Sequence, residues 1–217
     1  MAAINAFKSI FPFAEISGCY FHLGQSAWRK IRDLGLAEKY HQDPAFAIRV
    51  RKFLALAFVP PTHVHHYMRM LRQDEAHKND GLLQDFAKYF TDMYVGTEFN
   101  SARFEYTSWN MYQRIKDQLP RTNNSLEGWH AAFARDIKNH PDIVKLSEKY
   151  RQEQHTHEIF RNQHVSCRGL RRPEGRAKYA KVTKYLQDQI RKFDDHIEYN
   201  VPYLEEIAKV MTIQVKK

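Results

Sequence analysis

Apolar residues recur every three or four positions along most of this chain. The clearest stripe comprises Phe46, Val50, Phe53, Leu54 and Ala57, which share one side of a helix. Only 8 Gly and 8 Pro occur in 217 residues, which leaves little material for a turn-rich β fold. The sequence therefore predicts a mainly α-helical chain.

One segment near the N-terminus departs from this spacing. The stretch AEISGCYFH is interpreted as a buried strand because Ile16, Cys19 and Phe21 are apolar or small and Pro12 and Gly24 bound it. A single strand needs neighbours for its backbone hydrogen bonds, and no other segment offers a convincing partner. We therefore expect one residual strand, at the edge of a sheet that this chain does not complete.

The charge of the chain is strongly basic. Lys and Arg number 34 against 25 Asp and Glu, which gives a net charge of +9. This balance favours polyanionic partners such as nucleic acid, although charge alone does not separate nucleic acid from an acidic protein or a membrane surface. A run near the C-terminus with few acids contains Arg168, Arg171, Arg172, Arg176, Lys178, Lys181 and Lys184. Two interpretations of this run stay open, DNA phosphate contact and a solvated helix face.

The cysteines and the apolar runs indicate the cellular compartment. Cys19 and Cys167 lie far apart and no signal peptide opens the sequence, so no disulfide framework is expected. No apolar run approaches the ~20 residues of a transmembrane helix. The sequence predicts a nuclear or cytosolic protein, not a secreted one, with no membrane partner. The sequence is compatible with a homo-oligomer as well as with a monomer.

Two stretches together resemble a known family. AAINAFKSIFPFAEISGCYFHLGQSAWRKI and LPRTNNSLEGWHAAF, with LALAFVPP between them, resemble the C-terminal part of the transposase domain of Mutator-like elements, in the form found in animal genomes. The likeness runs from residue 2 to about residue 165. It depends on Cys19-x-x-His22 followed by Gln25 and Trp28, together with Asn-Asn-Ser-x-Glu-Gly-Trp-His downstream.

This resemblance implies an RNase H-like transposase domain, in which two aspartates and a glutamate hold divalent metal ions. Residues 1–165 would be the C-terminal part of that domain, with a helical insertion at about 25–118 and a glutamate-bearing helix at about 124–138. Residues 166–217 would form a basic helical tail. By the family pattern both aspartates fall upstream of residue 2, and the third acidic position falls on Glu127.

The chemistry of such a site limits what this chain is expected to do. Two-metal phosphoryl transfer needs carboxylates that clamp both cations roughly 3.5–4 Å apart. Glu127 alone is not such a site, so Mg²⁺ or Mn²⁺ is expected only if the upstream aspartates are supplied. The resemblance implies a truncated, transposase-derived protein that binds DNA without sequence specificity and does not cut it alone. A full-length relative would be a metal-dependent DDE transposase. The rival hypothesis is a domesticated, non-catalytic helical protein-interaction module.

Glu127 also has a purely structural interpretation. Asn124-x-x-Glu127 has the spacing of a capping box, with Asn124 at the N-cap and Glu127 reaching back to its N–H. His130 lies one turn further along and could orient the carboxylate or touch a phosphate, or could be a surface histidine. The buried stripe of this helix is predicted to be Leu126, Trp129, Phe133 and Ile137.

Cysteine and histidine pairs also suggest a zinc site. Cys19-x-x-His22 has the spacing of half a zinc site, and His164-x-x-Cys167 could supply a second half. Nothing in the sequence brings these halves together, so zinc is not expected. In the resembled family the first pair is structural, which implies a buried Cys19 and a hydrogen-bonded His22 at a strand end.

Overall fold

The secondary structure of the described residues is helical throughout. The computed structural model describes residues 2–14, 16–137, 141–166, 177–195 and 201–213. The α-helices are α1 (Ala2–Ile10), α2 (Tyr20–Asp33), α3 (Ala37–Gln42), α4 (Pro44–Ala55), α5 (Val64–Gln73), α6 (Glu75–Lys78), α7 (Gly81–Phe90), α8 (Tyr106–Trp109), α9 (Tyr112–Lys116), α10 (Asn124–Ile137), α11 (Ile143–Ser166), α12 (Ala177–Asp195) and α13 (Val201–Val210). Two 3-10 turns at Leu56–Phe58 and Pro61–His63 follow α4, and a π-helical turn at Thr91–Val95 continues α7. The prediction of a mainly α chain is confirmed.

The predicted strand before Gly24 is wrong. No strand occurs among the described residues, and the last three residues of that segment lie in α2. Tyr20, Leu23, Ala27 and Ile31 are buried at helical spacing, so the buried face that begins here belongs to a helix. Ile16, Cys19 and Phe21, which suggested the strand, are only half-buried.

Backbone hydrogen bonds explain how the residues before α2 are satisfied without a sheet. The Gly18 N–H donates to the Ser108 carbonyl at 2.5 Å, and the Tyr20 N–H donates to the Arg121 carbonyl at 3.0 Å. The two acceptors belong to different segments, so the bonds do not form a ladder. A Cβ at Gly18 would overlap the Ser108 carbonyl oxygen. Glycine is required there because the two backbones touch.

The chain divides into two compact units. The first comprises Met1–Thr122 and Val182–Lys217, and the second comprises Asn123–Lys181. These units are defined by the packing of the chain. The boundary predicted at residue 165 is defined instead by the family resemblance and the basic composition, so the two boundaries are not alternatives to each other.

The core of the first unit surrounds α4. Phe53 is fully buried, and its ring lies 5.6 Å from the ring of Phe86 and 6.0 Å from that of Phe90, both on α7. On another side α4 packs along α13, where the Arg51 guanidinium donates to the Ala208 carbonyl at 3.2 Å. The Lys52 ammonium lies 3.1 Å from the Glu205 carboxylate, and the Lys52 side chain is buried although it lies off the apolar stripe. Packing on several sides leaves no fully exposed residue in α4 after Ala45.

Asp80 joins three elements of this unit. Its carboxylate accepts from the Leu83 N–H at 3.2 Å as the N-cap of α7, accepts from the Lys39 ammonium at 2.8 Å, and lies 3.9 Å from the Arg49 guanidinium. Burial alone would raise the pKa of Asp80, but the hydrogen bonds from Lys39 and from the Leu83 amide outweigh it and hold that pKa below its ordinary value.

Replacing Asp80 is expected to destabilise the first unit in a pH-dependent way. Asp80→Ala should lower the free energy of unfolding by about 1–2 kcal/mol through loss of the cap, and Asp80→Asn should cost less because an amide still caps. Because the folded pKa is lowered, the stability from the ionised carboxylate is present above the unfolded value of about 3.9 and is lost as pH falls through the folded value. Urea unfolding at pH 7 and below pH 4 measures this. An equal gap between wild type and Asp80→Asn at both pH values would contradict the assignment.

The second unit contains a helical hairpin of α10 and α11. The Trp129 indole N–H donates to the Glu153 carboxylate at 2.6 Å, and the Lys149 ammonium lies 2.6 Å from Asp136 and 2.9 Å from Glu153. Trp129, Phe133 and Ile137 are half-buried in this hairpin. Leu126 was predicted on the same stripe, and this is wrong: its side chain is 51% exposed. It lies in the first turn of α10, before the helix meets α11.

Candidate nucleic-acid interface

Helix α12 has one buried and one basic face within the first unit. Leu186, Ile190 and Phe193 are buried, and they recur at helical spacing. Lys184 is exposed on the opposite side of the helix. Lys181 is exposed one turn earlier on the same strip, and it is the last residue before the part of α12 that belongs to the first unit. The helix therefore presents its lysines to solvent because its apolar residues are held in the core.

Contacts at the far end of α12 fix which way the helix faces. The Asp194 carboxylate accepts a hydrogen bond from the Tyr112 hydroxyl and another from the Lys116 ammonium at 2.8 Å. The Phe193 ring lies 4.8 Å from the ring of Tyr203 on α13. A helix held at these points cannot rotate its lysines towards the core.

Most of the basic run lies beyond what the structure describes. Arg168, Arg171, Arg172 and Arg176 fall outside the described residues, and Lys178 lies in α12 but its side chain is not among those described. Lys181 and Lys184 form no ion pair with a described residue. Between residues 168 and 184 the sequence holds seven cations and the single acid Glu174.

Lysines elsewhere differ from this run because many of them have acidic partners. These pairs are Lys39–Asp80, Lys52–Glu205, Lys88–Asp92, Lys116–Asp194, Lys145–Asp142, Lys149–Glu153 and Lys209–Glu206. The excess positive charge of the chain is therefore concentrated in the run that ends at Lys184, where it can attract a polyanion.

Glu127 lies in the first turn of α10. Its N–H donates to the Asn123 carbonyl at 2.9 Å, which is the first hydrogen bond of the helix and makes Asn123 the N-cap. The capping box predicted from Asn124 is thus one residue out of register. The Glu127 side chain is half-buried and forms no hydrogen bond or ion pair with a described residue.

His130 forms no hydrogen bond or ion pair with Glu127, although the two residues lie one turn apart. The His130 side chain is exposed, and its ring lies 4.9 Å from the ring of Trp129 in an edge arrangement. On the partner helix, hydrogen bonds from Lys149 and Trp129 hold the pKa of Glu153 below its ordinary value. Trp129 and Lys149 thus hold the carboxylate of Glu153 in the hairpin, whereas no described side chain holds that of Glu127.

Cys19 and His22 lie at the beginning of α2, not in a strand. Cys19 is its half-buried N-cap residue, and the exposed His22 follows in the first turn. The His164 side chain and Cys167, which the sequence offered as the second half of a zinc site, lie outside the described residues. Within the described part of the chain, no group of three or more His, Cys, Asp or Glu side chains could hold a metal ion.

Sequence reasoning missed a cleft between α5 and the loop that follows the π-helical turn. The cleft has a volume of about 680 Å³. The buried Met68 and Val95 line it together with the exposed Arg69, Arg72 and Phe99. A partial signal was available, because α5 reads His65-His66-x-x-Arg69-x-x-Arg72 without an acid from Val64 to Gln73. The exposure of Phe99 had no such signal.

Comparison with known proteins gives no match for this chain. No protein-family model matches the sequence, and neither the curated proteins nor the solved structures contain a significant match. Among the described helices, none combines the length and the apolar character that crossing a membrane requires.

Proposed function

We propose that this chain is a transposase-derived protein that binds DNA without sequence specificity. One observation carries the proposal: seven cations lie between residues 168 and 184 with one acid among them, and Lys181 and Lys184 project from the solvent face of α12. Lys and Arg side chains that neutralise phosphates release the counterions condensed on DNA, and this release drives binding. DNA binding of this kind accords with a nuclear location.

Sequence-nonspecific binding follows from the kind of contact. Lys181 and Lys184 are point charges on flexible stems, and phosphates present the same target at every base pair. Readout of base sequence would need bidentate side chains placed in a groove. The lysines of α12 thus attract DNA by its backbone.

The proposal includes no metal-dependent step. By the resemblance Glu127 would be the third carboxylate of a transposase site, and Mg²⁺ or Mn²⁺ would activate water there if further carboxylates were supplied. The described residues around Glu127 do not fit such a site, because no second carboxylate joins it. We therefore propose DNA binding without cleavage for this polypeptide by itself.

Removing charge from α12 tests the proposal. Lys181→Gln/Lys184→Gln should weaken binding to a 20-bp duplex, and the slope of log K against log salt should become shallower by about 1.8, since each phosphate contact contributes about 0.9. Fluorescence anisotropy over a salt series measures both quantities in the full chain. The matched control, Lys88→Gln/Lys209→Gln, removes the same charge from lysines that are paired with Asp92 and Glu206, and should leave the slope unchanged. Equal slopes in all three proteins would remove Lys181 and Lys184 as DNA contacts.

A second candidate function is a non-catalytic helical protein-interaction module. It is favoured by the apolar exposure of α1 and the residues after it, where Ile10 is 69% exposed and Phe13 is fully exposed. Soluble chains rarely leave such residues in contiguous contact with water. Absence of duplex binding at 50 mM salt would favour this candidate over the first.

A further inference from the structure

The cleft between α5 and the loop at residues 97–100 has two chemically different walls. On the α5 wall, Arg69 and Arg72 lie one turn apart on a single strip of the helix. On the opposite wall lie Glu98 and Phe99, and Phe99 is 91% exposed. The floor between the walls is apolar, since Met68 and Val95 are each 3% exposed.

The arginines of this cleft form no ion pair with a described residue. Like charges one turn apart on a helix repel and destabilise it. Many lysines of the chain avoid that cost with an acidic partner, as Lys88 does with Asp92 at 2.8 Å. Arg69 and Arg72 instead line a concave surface without a described acidic partner, and a bound phosphate would relieve their repulsion through charge-assisted hydrogen bonds.

The loop that carries Phe99 is built to a defined shape. Gly96 ends the π-helical turn with a φ of 78°, and a Cβ there would lie 2.8 Å from the Ala102 nitrogen. The Thr97 N–H donates to the Asn100 carbonyl at 2.8 Å, and the Asn100 N–H donates back to the Thr97 hydroxyl at 3.0 Å. Only glycine fits at position 96, and the closed turn after it holds Phe99 out from the surface.

This arrangement favours a particular ligand chemistry. An aromatic ring in water beside cations is the combination that binds a nucleotide, because a base stacks on the ring and arginines take the phosphate. The cleft volume of about 680 Å³ falls in the range of small-ligand pockets. Glu98 favours one orientation of the ligand, because its carboxylate repels phosphate from the Phe99 wall and can accept a hydrogen bond from an amino group of a base. An acidic peptide would place carboxylates against Glu98, so it fits less well.

We infer that this cleft binds a nucleotide unit, with its phosphate on Arg69 and Arg72 and its base stacked on Phe99. The unit can belong to a single strand of DNA or RNA, or be free. The site is separate from the basic run at residues 168–184, and the inference does not depend on that run. It gives the protein a means to hold an unpaired base, which a duplex contact through lysines does not provide.

Binding of fluorescein-labelled (dT)₁₂ to the full chain tests the inference. Phe99→Ala should weaken binding about 5-fold to 150-fold, the usual loss for one stacked base, and should leave the salt slope unchanged because no charge is removed. Phe99→Leu keeps the apolar bulk without an aromatic face and should also weaken binding. Phe13→Ala, at another fully exposed phenylalanine, is the matched control and should bind as wild type does. Circular dichroism checks that each variant is folded.

The arginines and the competitors complete the test. Arg69→Gln/Arg72→Gln should make the salt slope shallower by about 0.7, because both arginines are proposed to hold one phosphate and a single-strand phosphate contact contributes about 0.7. Displacement of (dT)₁₂ by dTMP would identify a free nucleotide as a sufficient ligand, and displacement by unlabelled (dT)₁₂ alone would identify the strand; both outcomes support the site. Phe99→Ala binding within twofold of wild type, or equal competition by poly-glutamate, would overturn it.

The same variants separate this inference from the proposed function. If Lys181→Gln/Lys184→Gln weakens duplex binding while Phe99→Ala leaves (dT)₁₂ binding intact, the cleft inference fails and the proposed function stands. If only Phe99→Ala has an effect, the cleft inference stands and the lysines of α12 are not the DNA contact.

Discussion

Raising the salt concentration from 50 to 200 mM is expected to weaken binding of this chain to duplex DNA by about 10³-fold or more. The reason is counterion release: seven cations between residues 168 and 184 can each neutralise one phosphate, and proteins with 6–10 such contacts lose about 10³–10⁵ in affinity over this interval. Fluorescence anisotropy with a 20-bp duplex at four or more salt concentrations measures the slope. A duplex of unrelated sequence should give the same slope and nearly the same affinity, because phosphates carry no sequence information.

The contrary result is equally informative. A slope near zero with measurable binding would mean that few phosphates are contacted, and the DNA proposal would fail even though an association exists. Substituting the four arginines from Arg168 to Arg176 with glutamine should remove about 3.6 from the slope, and this variant separates the arginines from Lys181 and Lys184 on α12.

The second large effect concerns stability. Phe53→Ala is expected to lower the free energy of unfolding by about 3–5 kcal/mol, because the side chain is fully buried between α4 and α7 and its removal leaves a cavity. For a chain of this size that loss corresponds to a melting temperature lower by roughly 6–20 °C. Urea unfolding followed by circular dichroism measures it.

Phe99→Ala provides the control for this measurement, since it is the same substitution at a side chain that is 91% exposed. It should change the free energy of unfolding by less than about 0.5 kcal/mol. A loss below about 1 kcal/mol for Phe53→Ala would mean that the core around α4 is not packed as described.

The sequence predicted the helical class and the centre of the core for a clear reason. The apolar stripe from Phe46 to Leu54 has helical spacing, and burial in a helical domain follows that spacing. The strand predicted around Cys19 is wrong because α2 begins at Tyr20, inside that segment, so only a few of its residues show the spacing of a helix. Four or five residues are too few to distinguish a period of 2 from one of 3.6.

Other features needed tertiary structure. The burial of Lys52 depends on the position of Glu205, about 150 residues further along the chain. The cleft exists because the π-helical turn ends α7 beside α5, and no local pattern around Arg69 or Phe99 specifies that juxtaposition. The exposure of Leu126 follows from where α10 meets α11, which spacing within one helix does not encode. The assignment of Glu127 as a third metal ligand rests on the resemblance and stays a prediction.

The packing of α4 along α13 has a consequence for synthesis of the chain on the ribosome. The Tyr203 hydroxyl donates to the Phe58 carbonyl at 2.8 Å, across a separation of 145 residues. At about 5–20 residues per second, the apolar surface of α4 waits roughly 7–30 s after its own synthesis before α13 is available. The hairpin of α10 and α11 is made in that interval from contacts close in sequence. The first unit therefore closes last, and its nascent core is the part of this protein with most need of a chaperone.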